Sequence, residues 1–518
     1  MHDPLVGSAS RTIAAAVRRP RSGAPRRRPR VRRWAGSVVG TVAILALGAG
    51  GVVALAQPAS AQSAVLYVNA TGGHDAGSCS TSSASCATIT YALTQAPPGA
   101  TIVVAAGTYP EQISITEDVS IIGRAPGRVI LEPPSVVQND VSTDGSVPQF
   151  AIVDVHDPTG PLSNVSLENL VINGSTAGAS SFNSCANNFP GIYFHNASGV
   201  LRNDTITGMQ MAQDLFGCQT GKGVGVLVGT DTGNTATVTM ARVTVRQYQK
   251  NGVECIDPGT TCIIEHSTVT GIGPTPLTAQ NGVEIWGVGA LNFMYNKVSR
   301  DSYSGPSGPA QAAGLLILNA GSVEVRFNKI SSNDVDLYAA EDSSFTPVAP
   351  AATWTIKGNS LSAATDDAPA PWNVVGQGYG DGLVLDSTSN DVVVEHNKSG
   401  SNFEYGIALY GVTGATIRSN GAHRDYDGIY VGGPGSVGAA STNNTLRGNR
   451  AFYNTDDGIL ADATSADWSN TFTSNSLHHN GVFEAEDRST GIGTEGTANF
   501  WVHDRCSMPS TVSPAGLC

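Results

Sequence analysis

The sequence is poor in basic residues once its first 61 residues are set aside. That segment holds ten of the 29 lysines and arginines and one of the 42 acidic residues, so 19 basic and 41 acidic residues remain. The formal charge of residues 62–518 is therefore −22, against −13 for the whole chain. A body this acidic repels nucleic acid and anionic membrane surfaces. Neutral glycans, cationic partners and metal-bridged acidic polymers remain as partners.

Several motifs that mark common enzyme classes are also absent. The sequence contains no phosphate-binding glycine loop, no G-x-S-x-G turn, no H-E-x-x-H helix and no G-G-x-G-x-D calcium repeat. No C-x-x-C or paired histidine spacing points to a structural zinc site either. Any chemistry must therefore come from residues that the fold brings together.

The first 61 residues read as an export signal. Ten arginines lie between Arg11 and Arg33, residues 35–56 carry no charge, and Ala59-Ser60-Ala61 follows. A basic region, an apolar region and an A-x-A site predict a secretory signal peptide, residues 1–61, that is cleaved before Gln62. The alternative is an uncleaved membrane anchor, because 22 uncharged residues can span a bilayer. We expect export with cleavage, which leaves no membrane contact.

The eight cysteines form four pairs that are local in sequence. An even number of cysteines after an export signal predicts disulfide bonds. The expected pairs are Cys79–Cys86, Cys185–Cys218, Cys255–Cys262 and Cys506–Cys518.

A short pattern recurs along most of the chain. A glycine followed by alternating aliphatic residues returns mostly every 21 to 34 residues, and NGVE occurs at both Asn251 and Asn281. A second series places an asparagine after a short β-run, as in VEVRFN and VVVEHN. Two interlocked series at one period, without a helical pattern, predict stacked coils of short strands, which is a right-handed parallel β-helix. The glycines are Gly191, Gly225, Gly252, Gly282, Gly314, Gly382, Gly406, Gly428, Gly458 and Gly481, and Asp334 begins a version without glycine.

Residues from about Thr101 to Gly481 resemble the parallel β-helix repeats of the pectin-lyase-like superfamily. The opening SASCATITYALTQAPPGATIVVAAGTYPEQISI is similar to the usual start of such proteins, where a short amphipathic helix caps the first coil. The expected fold is all-β: a cap at 62–100 with a local disulfide, a solenoid at 101–490, and a tail at 491–518 with a second local disulfide. The repeat predicts architecture, and it does not specify chemistry.

Strand alternation places two glutamates on one outer surface. If the glycine is position zero, positions one and three point into the coil and positions two and four point outward. Glu254 and Glu284 should then be neighbours roughly 5 Å apart, with Asp336 two coils further along at about 10 Å. The expected substrate-binding residues on the same surface are Trp286, Tyr338, Asp386, Tyr410, Tyr430, Tyr193 and His195.

Two carboxylates this close repel each other, so one pKa should rise and the pair can hold one proton. A separation near 5 Å is the retaining-glycosidase geometry, and about 10 Å is near the inverting limit. Flat aromatic side chains suit sugar rings. The alternatives are a calcium site and an ordinary solvated strand face. A Cys255–Cys262 bridge would stiffen the turn after Glu254, which favours a functional site.

Two further acidic segments are secondary candidates. NTDDGI, with Asp456 and Asp457, resembles the Asn-Thr-Asp motif of polygalacturonase-type hydrolases, although Gly-His-Gly and Arg-Ile-Lys partners are missing. HRDYDGIY holds residues suited to lyase chemistry with calcium. Its candidate residues are His423, Arg424, Asp425 and Asp427.

The sequence thus predicts a secreted β-helix enzyme that acts on an extracellular polysaccharide by hydrolysis, elimination or transglycosylation. Apart from calcium, no cofactor is indicated. The competing hypothesis is a non-catalytic extracellular protein that binds glycans or cell-wall material along its aromatic surface. An enzyme needs acids that converge on one bond, whereas a binding protein needs only the aromatic residues.

Overall fold

A computed structural model describes most of residues 63–518. Its description omits residues 178–181, 219–221, 306–311, 343–345, 347, 350–351, 368–379, 389–390, 436–437, 463–468 and 509–510. The predicted signal peptide and its cleavage site lie outside the described residues.

Three long parallel sheets run through the described chain, and each coil contributes one strand to each sheet. Sheet 1 contains Val65–Val68, Ala100–Val104, Val119–Gly123, Leu162–Glu168, Ala197–Arg202, Ala236–Ala241, Thr260–Glu265, Ala290–Met294, Ser322–Arg326, Trp354–Lys357, Val392–Glu395, Thr416–Arg418, Thr445–Arg447, Thr471–Thr473 and Phe500–Val502. Sheet 2 contains Gly107–Tyr109, Val129–Leu131, Leu170–Asn173, Thr205–Thr207, Thr244–Arg246, Thr268–Thr270, Lys297–Ser299, Lys329–Ser331, Ser360–Ser362, Lys398–Gly400, Gly421–His423, Arg450–Phe452, Ser476–His478 and Arg505–Cys506. Sheet 3 contains Ile113–Ile115, Val153–Val155, Phe189–His195, Gly223–Gly229, Asn251–Ile256, Asn281–Trp286, Ala313–Leu318, Val335–Ala340, Asp381–Asp386, Tyr405–Tyr410, Asp427–Gly432, Ile459–Ala461, Ala485–Asp487 and Val512–Ser513. The predicted parallel solenoid is confirmed.

The remaining elements are short. An α-helix spans Ile89–Gln95, and the Thr88 hydroxyl caps its start by accepting a hydrogen bond from the Tyr91 amide. A two-stranded antiparallel hairpin pairs Asp140–Val141 with Pro148–Gln149. The 3-10 turns are Ser82–Ala84, Gln213–Leu215 and Thr494–Gly496. Within the described residues, no helix has the length and apolar character that a membrane crossing requires.

The solenoid extends beyond its predicted limits at both ends. Val65–Val68, expected in the cap, pairs with Ala100–Val104 as the first strand of sheet 1. Residues expected in the tail supply the last strands of all three sheets, for example Phe500–Val502. The four predicted disulfides are present, with Cα–Cα distances of 5.2 to 6.7 Å.

The recurring glycines mark the inside corner between sheets 2 and 3. A Cβ on Gly282 would lie 2.3 Å from Val298 and 2.6 Å from the carbonyl of Gly314, so a larger residue does not fit without a shift. The glycines from Gly191 to Gly458 are equivalent as predicted, but the predicted equivalence fails for Asp334 and for Gly481. Strand pairing places Asp336, two residues after Asp334, in the glycine row. At the last of these coils Glu484, three residues after Gly481, takes that place.

The recurring asparagines are structural, as their spacing predicts. Asn397 shows the pattern: its Oδ1 accepts from the amide of Asn359, and its Nδ2 donates to the carbonyl of Ile356 and to Asn420. Each buried side chain therefore ties several coils together. This asparagine ladder runs through Asn328, Asn359, Asn397, Asn420, Asn449 and Asn475 to Asp504.

Candidate functional site

The outer face of sheet 3 carries most of the predicted site residues. Glu254 pairs directly with Glu284, and the same row continues through Leu316 to Tyr338. Each strand is kinked at its glycine, so the residue before the glycine also faces outward: Asn251 donates a hydrogen bond to Glu254, 2.8 Å away. Outer rows therefore lie one residue before the glycine as well as two and four residues after it.

Glu254 and Glu284 form a buried acid pair. They are 5% and 7% exposed, which argues against the alternative of an ordinary solvated strand face. Asn251 donates to Glu254, and Asn281 donates to Glu284 at 3.1 Å. Lys222 Nζ lies 2.8 Å from Glu254 Oε1. The counter-charge beside the stacked carboxylates is thus a lysine of the chain itself.

The two carboxylates differ in their surroundings. Lys222 touches Glu254 directly and holds that carboxylate as one half of an ion pair. Burial raises the pKa of Glu284; the charge of Lys222 opposes this shift, and the charge of Glu254 adds to it. Trp286 follows Glu284 by two residues on the same face and is half-buried. The pair can therefore hold one proton on Glu284, and Glu254 is the member in contact with Lys222.

The expected placement of Asp336 on the same face is wrong. As it takes the glycine place of its coil, it points to the inside corner, where Asn333 donates to its Oδ1 at 2.9 Å. Asp336 is fully buried, and burial raises its pKa far above the usual range. It therefore lies outside the row of Glu254 and Glu284.

Tyr193 and His195 lie on the outer face but are not open to substrate. They are 0% and 3% exposed. The Asp140–Gln149 hairpin contacts both, since Tyr193 donates to the carbonyl of Val141 and His195 Nδ1 lies 2.7 Å from Asp140. The expectation that these two residues bind substrate as part of an open surface is wrong for this reason.

Four tyrosines form a patch further along the face. Tyr405 and Tyr430 stack with ring centres 4.6 Å apart, and Tyr410 packs 5.2 Å from Tyr430. Tyr338 packs against the same cluster and donates to Asp386 at 2.6 Å. We name Tyr338, Tyr405, Tyr410 and Tyr430 the tyrosine patch. Strand alternation missed Tyr405 because it precedes Gly406, at the kink.

The HRDYDGIY segment does not form one cluster. His423 ends a strand of sheet 2 and stacks on Phe452, 5.2 Å away. Arg424 is an exposed turn residue. Asp425 is buried in the corner, where it accepts from the backbone and side chain of Asn402. The proposed His423–Asp427 arrangement is therefore wrong, and Asp427 alone reaches the outer face.

Asp427 instead meets the two aspartates of the NTDDGI segment. Ligand atoms of Asp427, Asp456 and Asp457 all lie within 4.8 Å of one another. Strand pairing places Asp427 next to Tyr405, and the Asp457 amide donates to Asp427 at 2.7 Å. We name these three residues the acid trio. Neighbouring coils supply it, so neither segment alone indicates it in the sequence.

The acid trio is arranged to hold protons near neutral pH. Burial, then the neighbouring charges of Asp427 and Asp456, raises the pKa of Asp457 to about 8. Burial also raises the pKa of Asp427 to about 7, although the Asp457 amide opposes the shift. Asp456 is half-buried, and its hydrogen bond raises the pKa of Tyr426 to about 12. Three oxygen ligands could also hold calcium.

Stacked coils with three parallel sheets define a parallel β-helix protein with an acidic and aromatic outer face. Residues 224–422 and 348–506 match the family described as the right handed beta helix region. Together these matches span more than half of the chain, so the protein belongs to that family. Residues 71–254 also match a family described as a protein of unknown function, DUF1565. No curated protein matches the chain.

Solved β-helix structures resemble the chain distantly. The periplasmic alginate epimerase AlgG is 13% identical, with 79% of this chain and 77% of that chain covered and a TM-score of 0.37. The A-module of the mannuronan C-5 epimerase AlgE6 from Azotobacter vinelandii is 14% identical, with 79% and 91% covered and a TM-score of 0.43. The GH136 lacto-N-biosidase from Eubacterium ramulus is 12% identical, with 85% and 65% covered and a TM-score of 0.38. Likenesses this distant carry no argument about activity.

Proposed function

We propose that the protein is a secreted enzyme that degrades or modifies an extracellular polysaccharide on the outer face of sheet 3. One observation carries the proposal: the acid trio lies beside the tyrosine patch. Proton-holding carboxyl groups next to stacked aromatic rings are what acid–base chemistry on a sugar polymer requires. The four disulfides and the basic, apolar leader support export.

In the proposed mechanism Asp457 is the general acid. With a pKa of about 8 it is protonated at neutral pH. It is 1% exposed, so donation to a glycosidic oxygen requires the side chain to be uncovered when the polymer binds. Asp456 is the more exposed member, and its separation from Asp457 is the retaining one. For hydrolysis it acts as the nucleophile: it bonds to the sugar as the leaving group takes the proton of Asp457, and water activated by Asp457 then releases it. For elimination it acts as the base on a sugar C–H. Once Asp427 ionises, near pH 7, its negative charge disfavours ionisation of Asp457 and so helps to keep the proton there.

The tyrosine patch binds the polymer next to these acids. Tyr338 and Tyr410 are half-buried, so each offers part of a ring to solvent. Sugar rings present apolar C–H faces that pack on such rings. Asp386, which holds the Tyr338 hydroxyl, fixes the orientation of that ring.

The acid pair is a second candidate centre for the same reaction class. The raised pKa of Glu284 favours it as the acid, and the ion pair with Lys222 favours Glu254 as the charged partner. Trp286 would supply the aromatic face there. If both centres are inactive, the remaining hypothesis is a glycan-binding protein that uses the tyrosine patch alone.

The test is a panel of polysaccharides incubated with the purified protein lacking residues 1–61. Reducing ends report hydrolysis, and absorbance of unsaturated sugars reports elimination. We expect one class of polymer to be cleaved by the wild type, and not by Asp457→Asn. If affinity electrophoresis shows binding but no polymer yields a product, the enzyme hypothesis is rejected and the glycan-binding hypothesis is favoured.

A further inference from the structure

Several titratable side chains that the proposed reaction does not use gather on the first coils of sheet 3. Asp140 lies in the antiparallel hairpin, and Asp154 and His156 lie in and just after the strand Val153–Val155. His195 ends the next strand of the same sheet. The acid trio is eight strands further along sheet 3, which is about 40 Å at the usual strand spacing.

We propose that Asp140, His156 and His195, completed by Asp154, bind one divalent transition-metal ion of the zinc type. Asp140, His156 and His195 each offer a ligand atom, and these atoms lie within 4.8 Å of one another. The Asp140 carboxylate is central, with Oδ2 at 2.7 Å from His195 Nδ1 and Oδ1 at 3.2 Å from His156 Nδ1. Donors that already converge on one point need little movement to close around an ion.

Asp154 provides the fourth ligand. It is 3% exposed, and no described residue forms a hydrogen bond with its buried Oδ1. A buried carboxylate oxygen that lacks a partner is costly, so such an atom indicates that something else binds it. Asp154 faces the same cluster, because strand pairing places it beside Tyr193 on the outer face and it lies two residues before His156.

The second ring nitrogen of His195, Nε2, has the kind of partner that metal-binding histidines usually have. It lies 2.9 Å from Asp231 Oδ1, and Asn196 holds the other oxygen of Asp231 at 2.7 Å. A carboxylate on the second ring nitrogen fixes the orientation of a ligand histidine and increases its basicity. Asp231 is thus a positioning residue.

The donor set selects the kind of ion. Two imidazole nitrogens with carboxylate oxygens suit zinc and related transition metals, whereas calcium takes oxygen ligands. The bound ion replaces the proton shared by His195 Nδ1 and Asp140. It also joins the Asp140–Gln149 hairpin to two coils of sheet 3, so the site stabilises this part of the protein.

Isothermal titration of the EDTA-treated, dialysed and tag-free protein with zinc chloride tests the proposal. We expect one zinc per chain, with a Kd below about 10 μM, and a rise in Tm on zinc addition. His156→Ala should weaken binding at least tenfold, and Asp231→Asn by roughly 10- to 100-fold. Both residues are partly exposed, so the variants should fold, and circular dichroism checks this.

His266→Ala is the matched control, because His266 is exposed and stacks on Tyr295 away from the cluster. It should bind zinc as the wild type does. A parallel titration with calcium chloride should show at least tenfold weaker binding. The proposal is overturned if zinc does not bind saturably, if His156→Ala binds it normally, or if calcium binds equally well. None of these readouts depends on activity toward a polysaccharide.

Discussion

The acid pair and the acid trio occupy the same face of one sheet, yet they hold their charge differently. At the pair, Lys222 and two asparagine amides contact the carboxylates. At the trio, other carboxylates and tyrosines are the main neighbours, and Arg488 acts only by its charge. Paired acids on a sheet are thus of two kinds. At the pair, a lysine forms an ion pair with one acid, and the pKa of the other, Glu284, is raised; at the trio, the pKa values of both Asp427 and Asp457 are raised, so both can hold protons near neutral pH.

We expect the largest effect on turnover from a substitution in the acid trio. Asp457→Asn removes the proposed proton donor while keeping its size, so turnover should fall by a factor of roughly 10²–10⁴. Asp425→Asn is the matched control, because Asp425 is also buried with a raised pKa. The equivalent positions of the two neighbouring coils are asparagines, Asn402 and Asn454, so an asparagine fits there. Initial rates on the polymer found by the panel provide the measurement. Normal turnover in Asp457→Asn would show that the acid trio is not the catalytic centre.

The acid pair should respond mainly in stability. Glu254→Gln removes the ion pair that this carboxylate makes with Lys222, whose side chain is 16% exposed. We expect the free energy of unfolding to drop by on the order of 3 kcal/mol, and turnover to change less than it does in Asp457→Asn. Denaturant titration measures the first quantity. The double variant Glu254→Gln, Lys222→Met should recover the lost free energy of unfolding. If Glu254→Gln lowers turnover more than Asp457→Asn does, the acid pair is the catalytic centre.

The tyrosine patch should affect binding more than turnover. Tyr410→Ala removes a half-buried ring of the tyrosine patch, and we expect KM to rise roughly three- to tenfold because an aromatic contact contributes about 0.5–1.5 kcal/mol. Tyr295→Ala is the control, since that exposed tyrosine stacks on His266 and Phe327 elsewhere. An equal rise in KM for both variants would reject the patch as the binding surface.

The smallest effect is the pH dependence of stability. Asp427 and Asp457 keep their protons up to about pH 7 and 8 in the folded protein, whereas an unfolded aspartate loses its proton near pH 4. The contribution of these two groups to the free energy of unfolding is therefore greatest below about pH 4, and it falls as the pH rises to about 8. Asp457→Asn should reduce the fall in Tm between pH 5 and pH 8 by at least about 2 °C. An unchanged slope would mean that Asp457 is ionised throughout this range.

Sequence periodicity is sufficient to predict the fold, because glycine and asparagine recur where a coil corner requires them. Gly282 has no room for a side chain, and Asn397 bonds coils on both sides, so both leave a repeating signal. The acid pair follows from alternation within one strand. The trio does not, because the chain kinks at Gly428 and Gly458 and turns the preceding Asp427 and Asp457 outward. Nor does periodicity reveal what covers a face, as the hairpin over His195 shows.

The asparagine ladder is also an electrically polar column. From Asn328 onward each side-chain amide donates one hydrogen bond to the next ladder side chain and accepts from the residue before it, so these bonds all run in one direction. Its Nδ2 also donates to a backbone carbonyl of the preceding coil. Hydrogen bonds aligned in this way polarise and strengthen one another. The positive end of the column meets the carboxylate of Asp504, which accepts from the Asn475 side chain at 2.8 Å. A negative charge at this end stabilises the ladder, as an acidic residue at the N-terminus stabilises an α-helix.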